Sequence, residues 1–318
     1  MSPKAFASAG DLEEKPTSFT EIGPGLYAFT AEGDPNSGVI IGDDGVMVVE
    51  AQATPRLARK VIECIRTVTD KPITHLVLTH YHAVRVLGAS AYGAPTIIMS
   101  EPARAMVAER GQEDWDSEFD RFPRLFQGHE EIPGLTWPTT TFKGRMTVYL
   151  GQRRIDIMQL GRAHTAGDAV VYVPDANVMF TGDIVEDHSA CYCGDGYFHD
   201  WPGTLDAIRA WELDAIAPGR GGALSGRDRV NGALDSTTDL VTSTYRSVAR
   251  VALGGGTLAE AMAACRAVCD PKFGDYAIYE HCLPFNVARA YDEARDILHP
   301  RIWTAERDKA LWAALQDG

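Results

Sequence analysis

Two blocks of short apolar runs broken by turn residues limit what this chain can fold into more than any other feature. The first, from Gly25 to Glu50, reads LYAFT, GDPNSG, VIIG, DDG and VMVVE. Alternation of this kind marks a meander of antiparallel strands, with Asp-Gly closing a tight hairpin. The second holds TTTFKG, MTVYLG, RRIDIMQLG and AVVYVPDANVMFTGD, ending at Asp183. Helical patterns follow each block. Strands, helix, strands, helix in two similar halves predict two sheets packed face to face with helices outside.

Local signals place several elements. Thr54-Pro55 opens a helix to about Thr67, with Thr54 as N-cap and proline at the first helical position. HLVLT is a strand, because aliphatic and β-branched residues fit a covered pleated surface, and VRVLGASAYG is a helix soon after it. Glu101 to Gly128 reads as amphipathic helices, and Trp115, Phe119, Phe122 and Phe126 within it suit a pocket wall or the face of a homodimer. After Trp201 the chain is mostly helical.

Composition excludes several classes of function. A net charge of −14 opposes a polyanionic partner, because nucleic-acid binding is driven by Lys and Arg displacing counterions, so none is expected. No apolar run reaches the roughly 18 residues that a membrane span needs. The N-terminal MSPKAFASAGDLEEKPTS lacks the apolar core of a secretory signal, and the expected location is the cytoplasm. The six cysteines are too sparse for a disulfide scaffold, and Cys191-Tyr192-Cys193 does not have structural zinc spacing.

Chemistry concentrates in THYHAVRVLGAS, Thr79 to Ser90. His80 and His82 follow a buried strand, and residues two apart share a face, so both imidazoles can converge on one ion. His164 lies in the turn RAHTAG, and Asp183 ends the apolar VMFTGD. Three imidazoles and a carboxylate with room for water suit a catalytic zinc site better than a closed structural one. Four unrelated polar loop residues would be the other reading.

THYHAVR also resembles the H-x-H-x-D-H motif of the metallo-β-lactamase fold superfamily. Further likenesses follow in the superfamily's order: NSGVIIGDDGVMVVE to its opening hairpins, GRAHTAGDAVVYVP to its single-histidine motif, VMFTGDIVE to its aspartate motif and APGRGG to its final P-G-H-G turn. The resemblance covers about residues 18–222. It implies a four-layer αββα sandwich in one domain, with a helical C-terminal extension over about 223–318. It further implies a first metal held by His80, His82 and His164, with Asp183 as the bridging ligand. The private ligands of a second metal are replaced by Val84, Arg85 and Arg220. Guanidiniums cannot ligate a cation but can supply positive charge beside Asp183.

The expected activity is therefore hydrolysis of a small-molecule ester, lactone, thioester or amide by water activated on a single zinc. Asp183, Arg85 and Arg220 would be catalytic. His188, in the dense EDHSACYCGDGYFHDW loop, and His281, in the C-terminal helices, are further catalytic candidates. Iron supporting oxygen chemistry, or a non-catalytic binding module on a degenerate site, are the alternatives.

Overall fold

The computed structural model describes residues 6–316, so the first residues of the polar N-terminal segment lie outside the described region. One sheet has seven strands in chain order: β1 (Thr17–Gly23), β2 (Leu26–Ala31), β3 (Ser37–Ile41), β4 (Val46–Val49), β5 (Ile73–Val77), β6 (Thr96–Ser100) and β7 (Thr140–Phe142). Pairing is antiparallel from β1 to β4 and parallel from β4 to β7. The other sheet has six strands: β8 (Arg145–Leu150), β9 (Arg153–Met158), β10 (Val170–Val173), β11 (Val178–Gly182), β12 (Ala215–Pro218) and β13 (Leu224–Ser225). Here only β11 and β12 run parallel.

Successive side chains on a strand point to opposite faces, and here both faces are covered. Ile40, Met47, Val171 and Phe180 meet between the sheets. Val39 and Val48 pack outward, in a core shared with α1 (Pro55–Val68) and α3 (Glu101–Arg121). Val170 and Met179 pack outward on the other side, in a core shared with α4 (Trp201–Arg209), α5 (Arg227–Leu253), α6 (Leu258–Phe273) and α7 (Tyr279–Ala294). The fold is thus a four-layer αββα sandwich. The C-terminal helices share that second core, and α8 (Ala305–Gln316) contributes Leu311 to it.

Local expectations meet the structure closely. The Thr54 hydroxyl accepts from the Leu57 N–H at 3.3 Å, capping α1. The helix after the histidines is shorter than the pattern suggested: α2 spans only Ala83–Val86 and tightens into a 3-10 turn over Leu87–Tyr92. Within that turn Gly88 packs against the backbone, since a β-carbon there would stand 2.2 Å from the Ala51 carbonyl oxygen. Among the described residues no helix is long and apolar enough to cross a membrane.

The sheets approach closely where Gly38 on β3 meets Phe180 on β11; a β-carbon on Gly38 would lie 2.2 Å from Phe180 Cδ1. Gly38→Ala is expected to destabilise the fold by about 1–3 kcal/mol through overpacking. Denaturant midpoints measure this, and an unchanged midpoint would show that the sheets separate there at no cost.

Candidate metal centre

The site gathers at chain segments leaving the strand ends. His80 and His82 follow β5, His164 lies in the loop between β9 and β10, Asp183 follows β11, and Arg220 follows β12. The His164 turn is held by Asp168, whose carboxylate accepts from the Thr165 N–H at 2.8 Å and the Thr165 hydroxyl at 2.6 Å. Gly182, at φ +52°, turns the chain into Asp183; a β-carbon there would lie 2.4 Å from the Thr79 hydroxyl.

One nitrogen from each of the three buried histidines lies within 4.8 Å of the others. Outward ring nitrogens all have partners: His80 Nδ1 meets the Thr79 hydroxyl at 2.9 Å, His82 Nε2 meets Asp195 Oδ2 at 3.1 Å, and His164 Nδ1 donates to the Tyr192 carbonyl at 2.7 Å. Inward, His82 Nδ1 and His164 Nε2 stand 2.8 Å apart, and His80 Nε2 is buried without a partner among the described residues. If His82 and His164 both donate outward, their facing nitrogens carry lone pairs, which repel unless a cation or a further proton stands between them. Three buried imidazole nitrogens within 4.8 Å of one another, that of His80 without a partner, nonetheless make a donor set that fits a metal ion once the His82–His164 contact opens to admit it.

Charge around the histidines supports this. Burial lowers the His80 imidazole well below its ordinary pKa and takes His164 down to about 3, so both rest neutral, the form that ligates. Burial also opposes charge on His82, yet the Asp114 and Asp195 carboxylates raise it overall. Asp195 is itself fixed by the Tyr81 hydroxyl at 2.8 Å and by Arg110 Nη1 at 2.7 Å. His82, Asp114 and Asp195 form a second close donor set, but Asp114 already accepts from the Ala83 N–H at 2.6 Å.

Asp183 lies beside the histidines rather than among the converging nitrogens. Its Oδ2 is 3.7 Å from His80 Nε2 and 3.6 Å from His164 Nε2. It pairs with Arg85 through Oδ1 and with Arg220 Nη1 at 3.0 Å through Oδ2. Burial disfavours this carboxylate, but the two guanidiniums overcome that and hold it well below the usual range. Arg85 is fully buried and Arg220 is 5% exposed, so neither serves merely to solvate a surface. Glu186, also bound to Arg220, is pushed up to about 8 by burial and by Asp183.

A buried cavity of about 10 Å³ adjoins the site, about enough for one water. His82, His164 and Asp183 line it together with polar Glu118, Tyr192, Arg220 and His281 and apolar Val84, Phe122, Ile278 and Cys282. His281 from α7 is thus brought to the histidines. His188 is not: it sits exposed on a turn at φ +47°, its ring 5.5 Å from that of Tyr276. Phe122 lines the cavity, as a pocket wall would. Cys191 and Cys193 are buried, and burial raises both thiols.

Sequence reasoning missed Asp114 and Glu118 and gave Asp195 no special role. The signal for the first two was present on α3, where Arg110, Asp114, Glu118 and Arg121 recur at helical spacing and are all buried. A helix face of alternating charge ordinarily lies in solvent. Here it faces the site.

Residues 30–219, more than half of the chain, match the profile of the metallo-beta-lactamase superfamily. The chain belongs to that superfamily. The metallo-beta-lactamase type 2 of Bacillus cereus is 23% identical over 220 residues, which cover 67% of this chain and 76% of that protein. A linear primary-alkylsulfatase from Pseudomonas is 21% identical over 244 residues, covering 67% of this chain but only 46% of that protein. Among solved structures, a double mutant of the sec-alkyl sulfatase PisA1 is similar with a TM-score of 0.67 at 16% identity, over 87% of this chain and 50% of that one. At such identity the likeness shows the fold. Its coverage exceeds the span of the family profile.

Asp195→Asn keeps shape but drops the charge behind His82, and zinc affinity is expected to fall by about 10- to 100-fold, whereas His82→Ala should lose most of it. Competition with a chromophoric chelator reads both, and wild-type affinity in Asp195→Asn would confine Asp195 to the fold. Burial holds His281 neutral down to about 4, with Glu118 opposing, against 6.5 ordinarily. The unfolded chain therefore binds a proton that the folded one excludes. Stability from this group is present above about 6.5 and is lost as pH falls toward about 4. His281→Gln should flatten the loss across that window by on the order of 1–3 kcal/mol, measured by urea unfolding at a series of pH values.

Proposed function

We propose that this protein is a metal-dependent hydrolase acting on a small-molecule ester, lactone, thioester or amide. The observation that carries the reading is the three-histidine convergence, with outward nitrogens satisfied and inward ones turned toward one another, that of His80 without a partner, beside a buried polar cavity. His80, His82 and His164 would hold the metal. Zinc bound there supplies a Lewis acid and lowers the pKa of a coordinated water.

The chain's own residues do the rest. Thr79, Asp195 and the Tyr192 carbonyl fix the orientation of the three rings. Asp183 remains ionised between its arginines, so it suits accepting a hydrogen bond and orienting a water better than storing a proton. Arg220 presents positive charge to the cavity, where negative charge develops on an attacked carbonyl oxygen. His281 stays neutral at ordinary pH and offers either a donor or an acceptor nitrogen to a leaving group. Phe122, Ile278 and Val84 exclude bulk water. Similarity to proteins named metallo-beta-lactamase and alkylsulfatase supports hydrolysis over oxygen chemistry. The small size of the cavity favours a second reading, a binding module without turnover.

A panel of ester, lactone, thioester, amide, β-lactam and sulfate-ester probes separates the two. Zinc-loaded protein at about one ion per chain should hydrolyse at least one class, lose the activity to chelator and regain it with zinc. Asp183→Asn should lower the rate by about 100- to 10,000-fold while retaining much of the metal. Stoichiometric zinc with no turnover on any probe would establish the binding module instead.

A further inference from the structure

The metal cavity is nearly sealed, and one residue of the seal has an unusual backbone. Ile278, the residue immediately before α7, has φ +55°. A β-branched side chain is rarely found in the left-handed region, and holding one there costs about 1–3 kcal/mol. Its neighbours enforce the conformation. The Ala277 N–H donates to the His188 carbonyl at 3.1 Å, and the Ala277 carbonyl accepts from the Ala190 N–H at 2.9 Å. On the other side, the Ile278 carbonyl accepts from the His281 and Cys282 N–H groups, each at 3.0 Å.

The side chain so placed has two neighbourhoods. It lines the metal cavity with His281, Cys282 and Tyr192, whose buried hydroxyl has no partner among the described residues. Its Cγ2 also lies 3.3 Å from where a β-carbon on Gly33 would stand. Gly33, with Ala277, Asp187 and His188, lines an open cleft of about 360 Å³. Half-buried Ile278 packs against the cores on both sides of the sandwich, lining the cavity itself while its chain neighbour Ala277 and its contact Gly33 line the cleft.

We propose that this cleft is where substrate first binds and that Ile278 is the gate to the metal cavity, setting the size of what passes. The proposal rests on the hydrolase reading for its substrate, but not for the route. Glu32, Asp187 and Asp275 also line the cleft, so it admits neutral or cationic molecules in preference to anions such as alkyl sulfates. His188, exposed and remote from the three imidazoles, then stands at the mouth of the route.

Cys282 reports on the gate without metal or turnover, since its thiol is buried and lines the cavity. Metal-free protein is treated with methanethiosulfonates of similar size and opposite charge, trimethylammonium-ethyl and sulfonatoethyl, and each cysteine is followed by peptide mass spectrometry. Ile278→Ala and Ile278→Gly should raise labelling of Cys282 by about tenfold or more, as expected when a local opening is made easy, while Cys265 and Cys269 in the α6 core stay protected. Glycine also relieves the left-handed strain, so that variant should fold at least as stably as alanine. With each rate divided by that of the same reagent on a small free thiol, the cationic reagent should be favoured, and Asp187→Asn combined with Ile278→Ala should narrow the difference. Wild-type labelling of Cys282 in both gate variants, or a parallel rise at all three cysteines, would overturn the gate. Equal or reversed normalised rates for the two charges would overturn the substrate preference. A gate that opens as expected in a protein that hydrolyses nothing would leave the route standing and remove only the hydrolase reading.

Discussion

A carboxylate clasped between two guanidiniums ties the two sheets together at the rim where the site stands. Asp183 and Arg220 come from the ends of β11 and β12 in one sheet, and Arg85 comes from the turn after β5 in the other. Arg85 also donates to the Asn36 carbonyl at 3.1 Å and the Gly219 carbonyl at 2.8 Å, and the Asn36 amide reaches the Pro218 carbonyl at 2.9 Å. Burying three ions is costly, and what offsets the cost is that their charges are paired and hydrogen-bonded. Removing any one member strands the others, a loss of roughly 3–5 kcal/mol in comparable buried pairs. The arginines at the positions where the resemblance puts second-metal ligands are thus paired, hydrogen-bonded parts of the fold.

How much of this was legible in the sequence follows from the range of each interaction. His80 and His82 declare themselves because both lie just past one buried strand, and the strands declare themselves because Val39 and Ile40, or Met179 and Phe180, face opposite covered sides and leave unbroken apolar runs. The resemblance then supplied the long-range partners His164 and Asp183. Asp195 was harder, since what distinguishes it from other polar residues of its loop is contact with Tyr81, His82 and Arg110, far away along the chain. Glu118 and Asp114 were hidden by the habit of reading charged helix faces as solvated. His188 and His281 could not be ranked from sequence: one sits in a loop next to Asp183 yet turns outward, and the other comes from nearly 100 residues later on α7.

Two of the converging histidines, His82 and His164, line one part of the cavity, and another part of its wall comes from helices elsewhere in the chain. Every histidine of the convergence lies on a short connection within the sandwich. Phe122 and Glu118 come from α3 or its end, and Ile278, His281 and Cys282 come from the start of α7. Substitutions in these helices can reshape the space offered to a substrate without moving a ring nitrogen. On the proposed reading, selection for new substrates would fall largely on these helices and selection for retention of the metal on the histidine connections, so a lineage could exchange its specificity while its histidine motif stayed still.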